Sequence, residues 1–329
     1  MSIAIEPFTH HHRDVVYQIT RAAWEADVAD IPHPSPAAFA AMLESSWPAH
    51  SDERYVAFLD GVAVGFLRLR MPQADNLANV DVEVVTAPGH RRRGVGRAML
   101  GHAVRRARAL GRAHLMSSTV DHIPDGAAFA LAMGANAGLA ETRSRLDVPP
   151  PDQDRLDALL ADCWRHAAGY RLVQWTGVAP EDYLGDVARL ESRLVLDAPM
   201  GELPMEPEKI DADRARANDE HRIALGRTPF QTGAVHEASD RMVAWTMIAG
   251  HNDTPVHAWQ NITIVDPDHR GRRLGLIVKL ENLRYIRGLR PELTGIDTIN
   301  ASANRHMLAI NETMGFRRVD QWVQWQLTV

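Results

Sequence analysis

The sequence predicts an α/β chain in which one domain-sized unit occurs twice. Three observations predict it. The 329 residues exceed one average domain and fit two of roughly 150 residues each. Strand-like runs alternate with amphipathic helical stretches, in an order that restarts after residue 170. A Gly-rich segment opening at Arg91 recurs at Arg270, 179 residues later, and Gly134 recurs as Gly315, 181 residues later. Two landmarks repeating at nearly one spacing of domain length indicate duplication, since a solenoid repeats every ~20–50 residues.

In the first half, residues 3–8 alternate apolar and polar side chains as a strand. Val16, Ile19, Ala22 and Ala23 mark one face of a helix over 13–29. Pro34 and Pro36 interrupt the chain before a short helix over 38–46. Strands 55–59 and 62–69 flank Asp60–Gly61, a hairpin turn signal, and 80–86 is a further strand. Gly94 opens a helix to about residue 110, with an inner stripe of Met99, Leu100, Ala103, Val104, Ala107 and Leu110, and Gly111 closes it. A strand over 114–120, a helix over 127–133 and a strand over 139–148 that closes the first sheet complete the half.

Pro149, Pro150 and Pro151 cannot continue a strand or enter a helix interior, and mark a linker. A bridging helix covers 154–167, and the order repeats: strand 170–175, helix 181–194, a charged helical segment 207–225, strands 231–236, 242–248 and 259–265. Helix 275–289, strand 296–300 and helix 305–314 follow, and strand 322–327 closes the second sheet. The predicted domains are 1–148 and 170–329, with 149–169 as linker and bridging helix.

Hydrophobic residues at 45% and charged residues at 24% suffice for two buried cores. A formal charge of −6 offers no excess of cations to displace phosphate counterions, so nucleic acid is not an expected partner. Cys163 is the only cysteine, which excludes an intrachain disulfide and a Cys-rich metal site. Beside Trp164 it reads as a half-buried structural thiol, because a nucleophile needs a partner base. The triplet His10, His11 and His12 lacks spaced companions and reads as a polar helix start, so no metal is expected. Residues 1–10 do not form a signal peptide, and no run of 18 apolar residues occurs, so neither export nor membrane insertion is expected and a cytoplasmic location follows. Trp175, Trp245, Trp259, Trp322 and Trp325 read as packing residues.

Chemistry concentrates where a strand ends, a proline-containing turn follows and a Gly-rich segment opens a helix: Val84, Val85 and Thr86, then Arg91, Arg92, Arg93, Gly94, Val95 and Gly96. The first amides of a helix have no internal acceptor and lie at its positive pole, which suits a pyrophosphate. A tight structural turn is the alternative reading of such a motif taken alone. The three glycines and acidic ribose ligand of a dinucleotide fold are missing, as is the Lys-Ser/Thr of a nucleoside triphosphate loop.

Arg-x-x-Gly-x-Gly after this strand resembles the coenzyme A pyrophosphate loop of the GNAT superfamily of N-acetyltransferases. The second copy, Thr263, Ile264 and Val265 followed by Arg270, Gly271, Arg272, Arg273, Leu274 and Gly275, resembles it too. The resemblance covers nearly the whole chain. It implies two tandem GNAT domains, each a mixed, mostly antiparallel twisted sheet flanked by helices. It further implies a soluble acyl-CoA-dependent N-acyltransferase with acetyl-CoA, or another acyl-CoA, as co-substrate. The strand before each loop is expected to splay from its neighbour at a bulge. Its edge at Val84–Thr86 and Thr263–Val265 would then pair with pantetheine, while the amides from Arg91 to Gly96 and Arg270 to Gly275 hold pyrophosphate. A small-molecule amine would attack the thioester directly.

Each copy departs from the family pattern. Arg273 replaces a glycine, and its guanidinium is expected either to pair with phosphate or to mark a lost site. Asn304 and Gly315–Phe316 fit the pattern, but Asn311 stands where the family carries a tyrosine; it can bind coenzyme A and is a poor proton donor. In the first half Ala130 takes that place. Glu83 lies where several members carry the base for the amine, with a solvated strand carboxylate as the alternative. Ile262 is its counterpart, where Gln260 and Asn261 can only orient a substrate. His90 and His269 read as turn residues, and the acidic stretch 206–220 as a solvated helix face. By analogy with the duplicated layout of mycothiol synthase, the C-terminal half is expected to be catalytic and the other structural or a vestigial coenzyme site. A non-catalytic acyl-CoA-binding or sensing protein is the alternative. The acceptor, the acyl chain length and the choice of monomer or homodimer stay open.

Overall fold

The computed structural model describes residues 1–329. In chain order the elements are β1 (Ile3–Pro7), α1 (Arg13–Asp27), α2 (Pro36–Glu44), β2 (His50–Leu59), β3 (Val62–Pro72), β4 (Asn79–Thr86), α3 (Val95–Ala109), β5 (His114–Val120), α4 (Pro124–Ala132) and β6 (Asn136–Asp147). Then come α5 (Gln153–Trp164), β7 (Tyr170–Thr176), α6 (Glu181–Glu191), α7 (Leu194–Asp197), α8 (Ala212–Ala224), β8 (Arg227–His236), β9 (Arg241–His251) and β10 (His257–Val265). The chain ends with α9 (Leu274–Leu289), β11 (Gly295–Ala301), α10 (Arg305–Met314) and β12 (Arg317–Thr328). No helix is long and apolar enough to cross a membrane.

Several boundaries differ from expectation, and two of the shifts have a clear cause. Helix α2 starts at Pro36 because Ser35 Oγ accepts the Ala38 amide at 3.2 Å, and proline is tolerated at a first helical position. Strand β2 starts at His50, through polar residues that alternation alone excludes. Asp52 lies opposite Arg70 and bonds its Nε at 3.1 Å, so cross-strand charge pairing substitutes for burial there.

The chain forms two compact units. One comprises residues 1–140, 200–206 and 321–329; the other comprises 141–199 and 207–320. The first has strand order β1-β2-β3-β4-β5-β12, antiparallel throughout except for β4 and β5. The second has order β7-β8-β9-β10-β11-β6, with β10 and β11 its parallel pair. The closing strands are therefore exchanged relative to expectation. Trp322–Thr328 pairs with Val120–His114 in the first unit, and Glu141–Asp147 pairs with Ala301–Gly295 in the second. A strand's alternation specifies which face is buried and leaves its partner open.

The loop-bearing strand is covered on both faces in each unit. In the first, Val84 packs in a cluster with Met99 of α3, while Val85 packs with Val16 of α1 and Phe39 of α2. In the second, Ile262 and Ile264 meet Leu184 and Val187 of α6, whereas Ile277 and Val278 of α9 belong to the opposite core. The charged stretch before β8 is less solvated than expected. Residues 206–211 are not helical, and α8 begins behind Asp211, whose carboxylate accepts the Arg214 amide at 2.8 Å. Asn218 and Asp219 of α8 are buried, the latter accepting from Gln231 Nε2 at 3.1 Å. Trp175 and Trp245 are core residues of the second unit, and Trp245 Nε1 donates to Gln231 Oε1 at 2.8 Å.

Candidate functional site

Each unit contains a parallel strand pair that begins joined and then parts. β4 and β5 pair only at Asn79↔His114, Val80↔Leu115 and Asp81↔Met116. β10 and β11 pair only at His257↔Gly295, Ala258↔Ile296 and Trp259↔Asp297. Beyond these, Val84, Val85 and Thr86, and likewise Thr263, Ile264 and Val265, have no ladder partner on that side. The two splays form differently. β10 carries a bulge between Gln260 and Ile262, whereas β4 stays in unbroken register with β3 from Arg70↔Asp81 to Gly65↔Thr86. The expected bulge thus occurs in the second unit alone, and in the first the strands diverge without one.

Gln260 holds the bulge. Its buried Nε2 donates to the Met247 and Ile262 carbonyls, each at 2.9 Å. The residue expected to orient a substrate is a backbone clip, and only Asn261 beside it is exposed.

The loops after β4 and β10 share one backbone shape. Each begins with a 3-10 turn, Pro88–His90 or Pro267–His269. Two left-handed residues follow in equivalent positions: Arg92 and Gly94 at φ 62° and 87°, Gly271 and Arg273 at φ 80° and 59°. Glycine and arginine have changed places between the copies. Arg273 therefore keeps the backbone shape that Gly94 has in the first loop. Alternation of backbone handedness turns successive amides into a concavity that accepts anions. The Arg91 and Arg270 amides are already bonded, each at 3.3 Å, to Pro88 and Pro267. The amides of residues 92–97 and 271–275 have no protein acceptor. The free donors thus start one residue later than the motif suggests, and both loops fit a diphosphate.

Side chains set the copies apart. Arg91 and Arg270 are anchors: Nε of each donates to the last strand carbonyl, Thr86 at 3.3 Å or Val265 at 3.2 Å. Their guanidinium ends pair with Asp27 at 2.6 Å and Asp197 at 2.8 Å. In the first loop Arg92, Arg93 and Arg97 stay exposed without a carboxylate partner. In the second, Arg272 lies over the Tyr170 ring at 5.8 Å and Arg273 pairs with Asp162 of α5. Arg273, expected either to pair with phosphate or to mark a lost site, is paired here with a carboxylate of its own chain.

Glu83 shares the α1–α2 face of β4 with Val85. It sits opposite Arg68 on β3 and pairs with it at 3.0 Å. Arg54 lies next in the same cross-strand row, and Asp52 accepts from both Arg54 at 2.7 Å and Arg70 at 3.1 Å. Sequence reasoning missed this row because it stopped β2 at Tyr55. The alternation of Arg68 and Arg70 against Asp52 and Arg54 was the available signal.

Asn304 Oδ1 caps α10 by accepting the Met307 amide at 3.2 Å. Asn311 is buried and donates to Asn300 Oδ1 at 2.7 Å, so its NH2 is engaged. Phe129 and Ile310 occupy equivalent places, the nearest side chains of α4 and α10 to Gly96 and Gly275. His269 Nδ1 lies 2.7 Å from the Tyr170 hydroxyl as a turn residue. Cys163 is fully rather than half buried, and burial pushes its thiol up, as befits a core group.

The Acetyltransferase (GNAT) family matches residues 14–133. No curated protein matches at a significant level. Among solved structures, a tandem GNAT protein from the clavulanic acid biosynthesis pathway is 31% identical with a TM-score of 0.81, the match covering 99% of this chain and 98% of that one. A GCN5-related N-acetyltransferase from Sphaerobacter thermophilus shares the fold, with TM-score 0.67 at 13% identity over 99% of this chain and 95% of that one. So does a GCN5-related glucosamine N-acetyltransferase region of a fungal β-N-acetylglucosaminidase, with TM-score 0.65 at 12% identity over 99% of this chain and 38% of that one.

Proposed function

Because the chain belongs to the GNAT acetyltransferase family, with two GNAT units in tandem, we propose that it transfers an acyl group from an acyl-CoA, acetyl-CoA foremost, directly to an amine of a small-molecule acceptor. The co-substrate supplies a thioester whose carbonyl is the electrophile. The amides of residues 92–97 bind its diphosphate, with Arg92, Arg93 and Arg97 adding charge. The free edge of Val84, Val85 and Thr86 orients the pantetheine arm, so that catalysis is chiefly positioning. Glu83 accepts the proton from the amine, directly or through water, and Arg68 positions it.

Turnover on external amines is assigned to the first unit, against the sequence-based preference for the C-terminal half. The observation that carries this is the state of the loop cations: unpaired around residues 92–97, engaged with Tyr170 and Asp162 in the second copy. The family match to residues 14–133 supports the same choice. Amides 271–275 are proposed to bind a second coenzyme more weakly.

Calorimetric titration with acetyl-CoA on the wild type, Gly96→Glu and Gly275→Glu tests the reading, together with thiol release over a panel of amines. A carboxylate aimed at the phosphates is expected to abolish its own site alone, and Gly96→Glu to abolish turnover. Binding without thiol release for every amine would establish the non-catalytic acyl-CoA-binding alternative. Absence of binding at residues 92–97 would sink the proposal.

A further inference from the structure

A buried amine lies beside the second loop. Lys279 of α9 is 1% exposed, its Nζ is 5.2 Å from the centre of the Phe316 ring, and it makes no ion pair. Ammonium groups are almost never buried unpaired, because desolvation disfavours the charge. Burial alone lowers this amine to about 7, so a large neutral fraction is present near neutrality.

Its place in the fold follows from helix geometry. Lys279 is four residues after Gly275, so both lie on one face of α9, and the side chain leans back toward the N-terminal turn. Gly275 marks the cleft wall: a Cβ there would lie 3.5 Å from Val265 Cγ2 and 4.0 Å from both Thr263 Cγ2 and Ile310 Cδ1. Four helical residues rise ~6 Å, and a strand covers that in about two residues at ~3.3 Å each. Lys279 is therefore level with Ile262 and Thr263, at the lower end of the unpaired β10 edge. Phe316 follows α10, whose Ile310 lines the same cleft. Asn311, also on α10, adds an Oδ1 that is buried with no partner. In the first unit the equivalent position is Leu100.

We propose that Lys279 is a self-acylation site, modified by the acyl-CoA whose diphosphate binds the amides of residues 271–275. This rests on the functional reading above only in requiring that the second loop bind the thioester. Neutral Nζ attacks the thioester carbonyl carbon, an N–C bond forms and the C–S bond breaks. The thiol departs with the proton that the nitrogen loses, leaving a neutral amide. Acylation removes the buried cation permanently, which gives the second unit a chemical reason to hold an amine where the first has leucine.

The test is peptide-resolved mass spectrometry of the full chain after incubation with acetyl-CoA. One acetyl group per chain on the peptide carrying Lys279 is expected, and its loss in Lys279→Arg and in Gly275→Glu. Lys279→Met, apolar and of similar length, provides a second unlabelled variant should arginine not fit. A label at Lys279 that survives Gly275→Glu is non-specific chemistry and overturns the proposal, as does an unlabelled Lys279. Turnover of external amines separates the two readings. Labelled Lys279 without turnover overturns the functional reading alone, whereas turnover with unlabelled Lys279 overturns this one alone.

Discussion

Arg91 and Asp27 form a bidentate ion pair, Nη1 to Oδ1 at 2.9 Å and Nη2 to Oδ2 at 2.6 Å, which ties the loop after β4 to the last residue of α1. Arg270 and Asp197 repeat the device in the second unit. The motif's leading arginine thus ties the loop from outside while the amides of its neighbours stay without a protein acceptor.

Asp27→Ala is expected to weaken acetyl-CoA binding at the first loop by about tenfold, because a loosened loop must be ordered on binding. Stability should change by less than about 1 kcal/mol, since the pair is part-exposed. Calorimetry and urea melts on one sample check both; unchanged affinity would remove the anchoring role.

Arg92 and Arg273 each hold a left-handed backbone that disfavours a side chain by ~1–2 kcal/mol. Arg92→Gly should therefore leave stability equal or improve it by up to about 1 kcal/mol, while Gly94→Ala should lower it by a similar amount. Denaturant midpoints with unchanged slopes give the comparison. Equal losses in both variants would contradict the conformational account.

The Arg143 guanidinium is buried between Asp297, 2.9 Å away, and Asp320, 2.5 Å away, and Arg145 also bonds Asp297 at 2.5 Å. Asp297→Ala should destabilise the second unit by about 3–5 kcal/mol, since it removes a buried carboxylate that Arg143 and Arg145 share and leaves the buried cluster with an uncompensated positive charge. Burial pushes the Asp297 carboxyl up, but hydrogen bonds from Arg145 and His257 outweigh it and hold the group well below its ordinary 3.8. A depressed folded pKa means that stability is present above the unfolded value and lost as pH falls below it. The acid limb below about pH 4 should thus be steeper in the wild type than in Asp297→Asn, as followed by fluorescence.

Lys279 has the opposite sign. Its folded pKa is lowered from 10.5 to about 7 by burial, so between these values the unfolded chain binds the extra proton. Stability from this group is full above 10.5, falls as pH drops toward 7 and is constant below. Lys279→Met should therefore be more stable than the wild type near pH 7 by up to a few kcal/mol. The difference should shrink toward pH 10. A pH-independent difference would place the lysine in solvent.

Much of the element order was legible before any coordinates, because alternation, helical stripes and turn residues are local properties. Strand His114–Val120 and helix Arg305–Met314 keep their predicted ends, and the two loops stand in register. The row joining Glu83, Arg68 and Arg54 left only a faint trace, the alternating charges of residues 52–54 and 68–70, because cross-strand neighbours lie far apart in sequence and polar strand residues carry no apolar signature.

What the sequence determined by itself is the duplication, the position of both helix starts and their capacity to leave amides unpaired, all set by short-range steric rules. Only the tertiary structure decided that β12 completes the first unit and residues 141–147 the second. It also decided that Arg91 is tied to Asp27, that Arg273 is paired with Asp162, and that Lys279 lies out of water. These are non-local pairings among residues whose own preferences permit several partners, and the packing within each unit selects among them.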